Sequence, residues 1–242
     1  MPKVNRHFIQ PDWPAPAGVR AMVTTRTGGF SQGPWASMNL GTNSGDDQAD
    51  VLQNRDLLGR ELPADPLWLN QVHGTSVVVN DGLQVKTPEA DAQVAFDPGR
   101  VCAVLTADCL PVLFCNRSGG RVGAAHAGWR SLASGVLEET VKALECEPAD
   151  LMAWLGPAIG PDAYEVGDDV IEHFENEYPR GFRRSGNRWL MDLYLLARIK
   201  LEAAGVSSIH GGGFCTWTDS KRFYSYRRDG VTGRMASLVW IE

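Results

Sequence analysis

No stretch of this 242-residue chain approaches the ~18 consecutive apolar residues of a membrane-spanning helix. Positive charge is also short: 23 lysines and arginines face 29 acidic residues, for a net charge of −6. A general nucleic-acid binder needs a basic face to neutralise phosphates, so that class is set aside. The five cysteines are odd in number and widely spaced, with no C-x-x-C pair. That pattern belongs to reduced thiols and not to a disulfide framework. The opening MPKVNRHFIQPDWPAP lacks the apolar segment of a secretory signal, and the expected location is cytoplasmic. Nor is there a G-x-x-x-x-G-K-[ST] phosphate loop or a G-x-G-x-x-G after a strand, which excludes the common nucleotide-binding domains. Histidine is scarce, with five in all and no His-x-His pair. A four-copper oxidase, which needs about ten imidazole ligands, is therefore untenable. The H-x-E with P-C-x-x-C signature of zinc deaminases is absent as well.

What is present fits one large globular domain over 1–242, with 43% hydrophobic and 21% charged residues. VRAMVTT at 19–25 alternates and is β-branched, which predicts a strand; residues 26–46 form a long Gly/Ser/Asn loop. A helix is expected over 47–59, opened by Asp46 and stopped by Gly59. PLWLNQV, TSVVVN, VCAVLTA, PVLFCN and RVGAAHA read as short strands, followed by an amphipathic helix over 132–145. Further on come a strand running into a Gly/Pro turn over 151–161, helices over 167–178 and 192–204, a Val-Ser-Ser-Ile strand and two strands in the tail. The alternation is irregular. It predicts an α/β (α+β) mixed-sheet layered single domain, not a βαβ repeat.

Three residues stand out at the ends of those runs: His73 in NQVHG, Cys109 in TADCLPV and His126 in AAHAGWR. Two imidazoles and a thiolate make a three-donor set that leaves a fourth tetrahedral position open, as catalytic zinc requires. The same residues would also serve as a Cys-His nucleophile pair, or as two hydrogen-bonded histidines and a buried thiol. Asp91, Asp108 and Glu165 are candidate bases or partners of the histidines. Arg26, Arg130, Arg227, Arg228 and Arg234 are candidate phosphate grips, Arg26 and Arg130 first because they lie near the site loops. GFSQG at 29–33 and HGGG at 210–213 imitate a serine-hydrolase elbow and oxyanion loop. Their order is reversed and Ser31 runs on into loop, so both are taken as glycine-rich turns.

Several blocks in order carry a resemblance over nearly the whole chain: TTRTGGFSQGPWASMNLG, GDD with NR at 54–55, WLNQVHG, LTADCLPVLF, AAHAGWR, WLGPAIGP with YEVG, and FYSYRRDGVTGRMASL. On these motifs the sequence resembles the YfiH-like, or laccase-domain (polyphenol oxidase), family. The resemblance implies a fold like the catalytic domain of cytotoxic necrotizing factor toxins. It implies one zinc ion, or Cu2+ in its place, held by His73, Cys109 and His126. It also implies phosphorolysis of adenosine, inosine, guanosine and methylthioadenosine, with adenosine deamination. Alternatives are an editing amidase on UDP-MurNAc-L-Ser, a single-copper polyphenol oxidase and a non-catalytic metal-binding protein. The expected catalytic set is Cys109, His126, His73 and Asp108, the last as proton carrier. Arg26, Asn39, Gln71, Arg130 and Arg227 are the expected substrate contacts. The partners are small molecules, nucleoside and phosphate or a muropeptide precursor, with no nucleic acid or membrane. One departure is visible: Ser131 stands where the family usually has the glycine of HAGWRG.

Overall fold

The computed structural model describes residues 7–84, 86–174, 177 and 179–242. The β-branched and apolar runs of the sequence become two stacked sheets. One sheet holds β1 (Phe8–Ile9), β2 (Val19–Thr24), β5 (Cys102–Thr106) and β13 (Met235–Ile241), in the order β1-β2-β13-β5 and antiparallel throughout. The other holds β3 (Val77–Val79), β4 (Ala92–Ala95), β6 (Leu110–Asn116), β7 (Val122–Ala127), β8 (Leu151–Leu155) and β12 (Ser208–Gly211). Its order is β12-β8-β6-β7-β4-β3, and it is mixed, with the outer pairs β12·β8 and β3·β4 parallel. A small antiparallel sheet of β9 (Glu165–Val166), β10 (Phe182–Ser185) and β11 (Arg188–Met191) lies beside it.

Side-chain alternation sorts the core into layers. Leu113, Cys115, Val122 and Ala124 of the six-stranded sheet meet Val23, Cys102, Val104 and Val239 of the four-stranded one. On the opposite face Val112, Phe114 and Ala125 pack under α3 (Val136–Ala143) and α5 (Leu193–Ala203). The outer face of the four-stranded sheet, with Met22, Ala236 and Leu238, is covered by α1 (Gln48–Gly59) through Leu58. The result is helix, sheet, sheet, helix. Each large apolar side chain so buried contributes roughly 1.5–3 kcal/mol.

The helix expected over 132–145 is two helices, α2 (Trp129–Ser134) and α3, parted by Gly135 at φ 99°. That left-handed turn is inexpensive only for glycine. Among the described residues of 167–178 the helix is α4 (Asp168–Ile171) alone, and residues 175, 176 and 178 lie outside the described set. PLWLNQV is not a strand. It makes isolated bridges at Leu67 and Asn70, and the Gln71 side chain substitutes for a backbone ladder, donating to Leu105 O at 2.8 Å and accepting from Leu105 N at 2.7 Å. The tail has one strand, β13, not two. Before it stands the short helix α6 (Tyr226–Asp229), capped by the Ser225 hydroxyl, which accepts from Arg228 N. The β10–β11 hairpin, not expected from the sequence, turns at Gly186-Asn187, with Gly186 at φ 57°.

Candidate metal centre and cleft

Chain topology brings the three donors together. β5 ends the four-stranded sheet and β6 opens inside the six-stranded one, so the chain crosses between sheets at residues 107–109 and Cys109 lies on the crossing. His126 occupies β7 opposite Pro111, on the same side as Ala124, facing the seam. His73 arrives on the loop before β3. The ligating atoms of His73, Cys109 and His126 all lie within 4.8 Å of one another. Cys109 Sγ is 3.8 Å from His73 Nε2, and the two imidazole rings meet edge-on at 4.8 Å.

Asp91 organises this cluster from behind. It is fully buried at the start of β4, and its carboxylate accepts from the amides of Val72, His73 and Gly74 at 3.1, 3.0 and 2.6 Å. Three successive amides converge in this way because His73 adopts φ 61°, a left-handed conformation that costs a non-glycine residue on the order of 1–3 kcal/mol. Asp91 Oδ1 also accepts from His126 Nδ1 at 2.7 Å. A carboxylate only accepts, so Nδ1 carries the proton and Nε2 is left as the donor atom toward the cluster.

The electrostatics agree. Partial burial raises the Cys109 thiol, but His126 and His73 outweigh it and bring it down to about 6. Burial lowers His126, but the charges of Cys109 and Asp91 outweigh it and raise it to about 9. Burial pushes the Asp91 carboxyl up, yet its bonds to His126 and the loop amides hold it below the ordinary value. Gly128, just after β7, borders the same space. A Cβ there would sit 2.8 Å from His73 Cδ2 and 3.0 Å from Cys109 Sγ. A soft three-donor set, one fixed tautomer and a cradle that a methyl group would fill together fit a tetrahedral metal with one open position.

The cluster borders a cleft of about 650 Å³. Gln71, Asp108, Arg130 and Arg227 line it, as does Arg234. Arg130 stacks 4.2 Å over Trp129, and Arg227 lies 5.0 Å over Tyr164 while donating to Glu165 O. Other expected residues serve differently. Arg26 is outside the lining; it braces the loop through Ala36 O and Ser220 O and stacks on Tyr224. Asn39 is fully buried behind the wall, with its amide committed to Gly41, Ser44, Asp46 and Arg234. Arg228 is turned to Asp229 and to the carbonyls of Thr216 and Trp217. Asp108, at φ 90°, has both oxygens taken: Oδ1 accepts from Thr216 Oγ1 at 2.5 Å and Oδ2 from Arg227 N at 2.6 Å. It positions α6 against the cluster while lining the cleft. Sequence reasoning passed over Arg55, Trp68, Tyr164 and Tyr226, all in the lining. All four stand inside the motif blocks NR, WLNQVHG, YEVG and FYSYRRDG; in space Arg55 lies 4.1 Å over Trp68 and Arg234 lies 6.0 Å over Tyr226.

Residues 20–242 match the family described as multi-copper polyphenol oxidoreductase laccase. The chain is 54% identical over 240 residues to a purine nucleoside phosphorylase of Pseudomonas aeruginosa, covering 97% of this chain and 98% of that one. It is 50% identical over 239 residues to purine nucleoside phosphorylase YfiH of Escherichia coli, covering 97% and 98%. The chain belongs to this YfiH-like, laccase-domain family. Two crystal structures share the fold: a Neisseria meningitidis protein at 49% identity, with TM-score 0.93 and coverage of 98% and 100%, and YlmD of Geobacillus stearothermophilus at 34%, with TM-score 0.91 and coverage of 98% and 97%. The family description speaks of several coppers, and this YfiH-like chain does not supply the ligands. Among the described residues one cluster converges, and His7, His173 and His210 are placed elsewhere, beside Thr27, Trp129 and Ser208. No helix among the described residues is long and apolar enough to cross a membrane.

Proposed function

We propose that the protein is a zinc enzyme that cleaves purine nucleosides with phosphate. One observation carries this reading: a three-donor cluster with an open side, bordering a cleft walled by aromatic rings and guanidiniums. The phosphorylase names of its relatives support it. Trp68, Trp129, Tyr164 and Tyr226 offer flat faces to a purine. The lining arginines offer planar donor forks to phosphate.

In phosphorolysis a phosphate oxygen bonds to C1′ of the ribose and the C1′–N9 bond breaks. The electron pair leaves with the base, and the proton given up by phosphate ends on a base nitrogen. The chain's part is positioning, which holds phosphate and C1′ in contact. His73, Cys109 and His126 would hold the ion, with Asp91 fixing the His126 tautomer and the 72–74 loop. When bound, zinc supplies Lewis-acid stabilisation of negative charge on the departing group. Asp108 keeps Arg227 in place. The five free thiols support a reducing, cytoplasmic setting.

The test is zinc-loaded protein with adenosine, inosine, guanosine and methylthioadenosine, with and without phosphate. Release of free base only when phosphate is present, lost in Cys109→Ala, supports the reading. Phosphorolysis by metal-free Cys109→Ala at the wild-type rate refutes it. Inosine formed from adenosine without phosphate adds deamination. Serine released from UDP-MurNAc-L-Ser, with nucleosides untouched, moves the assignment to an amidase. Phenol oxidation by the copper-loaded protein alone moves it to a single-copper oxidase. Bound zinc with no turnover at all leaves a metal-binding protein.

A further inference from the structure

Two guanidiniums in the cleft have no carboxylate partner among the described residues. Arg55 of α1 and Arg234, just before β13, both line it, and their hydrogen bonds go only to carbonyls. Arg55 Nε and Nη2 donate to Leu40 O at 3.0 and 2.8 Å, which flattens the guanidinium on the Trp68 ring. Arg234 Nη1 donates to Thr232 O and Gly233 O at 2.8 and 3.0 Å. Arg55 Nη1 and Arg234 Nε and Nη2 therefore have no acceptor among the described residues. Burial draws Arg55 down to about 10 and lowers Arg234 too, despite the nearby Cys109 and Asp108 charges. Both are half-buried; a cation partly withdrawn from water without an anion is disfavoured, and a ligand that supplies the anion relieves this.

A third part faces the same space. The loop 41–44 lines the cleft, and the amides of Thr42 and Asn43 have no acceptor among the described residues. Asn39 holds this loop in register with Arg234. Its Oδ1 accepts from Gly41 N at 3.0 Å and Arg234 N at 2.8 Å, while Nδ2 donates to Ser44 Oγ at 2.7 Å and Asp46 Oδ2 at 2.9 Å. One buried amide thus ties the loop to the main chain of Arg234.

We infer that Arg55, Arg234 and the loop 41–44 form an oxyanion subsite for a phosphate group, with Asn39 as its positioning residue. Two forks on separate elements and two main-chain amides without an acceptor among the described residues line one cleft, a donor set that suits a tetrahedral anion with several oxygens better than a planar carboxylate. The group is inorganic phosphate or the phosphoryl of a sugar 1-phosphate. Naming it as co-substrate or product rests on the phosphorolysis proposed above; the anion site itself does not.

The experiment is calorimetric titration of the zinc-loaded full chain with inorganic phosphate and, separately, with ribose 1-phosphate, no nucleoside present. Arg55→Gln and Arg234→Gln are each expected to weaken both ligands by roughly tenfold or more, with Arg55→Lys between wild type and Arg55→Gln. Tighter binding of ribose 1-phosphate than of phosphate marks the product's phosphoryl as the occupant, and the reverse marks free phosphate; loss in the variants supports the subsite in either arm. In turnover, Asn39→Ala should raise KM for phosphate while KM for nucleoside and zinc content hold. Thermal unfolding identifies any variant that does not fold, and Arg55→Lys and Arg234→Gln then carry the test. Folded variants that bind both ligands as tightly as wild type overturn the subsite. Phosphorolysis with a phosphate KM indifferent to Arg55 and Arg234 likewise sinks the subsite and leaves the reaction standing. Arg55-dependent phosphate binding without any nucleoside cleavage does the opposite.

Discussion

Gly128 is where the least change should do the most. Its φ of −66° and ψ of 163° are open to any residue, so Gly128→Ala carries no backbone strain. The added methyl would nonetheless press on His73 and Cys109. The expected variant folds, with a midpoint within a few degrees of wild type, and loses zinc roughly tenfold or more; metal content by mass spectrometry checks it. Cys109 offers a second readout. In metal-free protein its alkylation rate by iodoacetamide should rise through about pH 6 and level off above, since the thiolate is the nucleophile. Cys102 and Cys115, whose thiols burial pushes up, should stay unreacted in the native state. Zinc should suppress the Cys109 reaction. A rate that climbs only near pH 8.5, the ordinary thiol range, would contradict the assigned electrostatics.

The turn from β7 into α2 carries the chain's one noted departure from its family. Ser131 fills the glycine position with a buried hydroxyl that donates to His126 O at 2.9 Å or Gly128 O at 3.1 Å. Ser131→Ala is expected to cost about 1 kcal/mol by thermal unfolding, with zinc content unchanged. Loss of metal with full stability would show that the hydroxyl steers His126 and does not merely secure the turn. At this scale the sequence was readable wherever periodicity matched burial. Strands β2, β6, β7 and β8 and helices α1 and α5 stand close to where alternation and stop signals put them, with Asp47 and not Asp46 capping α1. It was unreadable where side chains stand in for backbone. Gln71 pairs with Leu105 as a strand would, and so hid the loop nature of 66–72. The trio was legible because its donors are chemically distinctive. The roles of Asn39 and Asp108 were not, since polar residues in loops look alike until their partners are known.

At the scale of the molecule, the two sheets and their outer helices are held by apolar contact that needs no ion. Metal should therefore add to a structure already folded. Zinc held at 100–1,000 times its dissociation constant is expected to contribute about 2.7–4.1 kcal/mol, raising the thermal midpoint by several degrees, and a chelator should reverse it. Calorimetry of stripped and reloaded protein checks this. An unchanged midpoint at saturating zinc would mean that the native state does not bind it.

The crossing of the chain at 107–109 gives that increment a location. Cys109 stands where one sheet hands over to the other, while His73 and His126 are both tethered to Asp91 on the far bank. An ion shared among them works as a rivet through the seam. Pulled out, it should leave the bulk of the protein intact and let this one end breathe, so that amide exchange quickens first at residues 72–74 and 107–109.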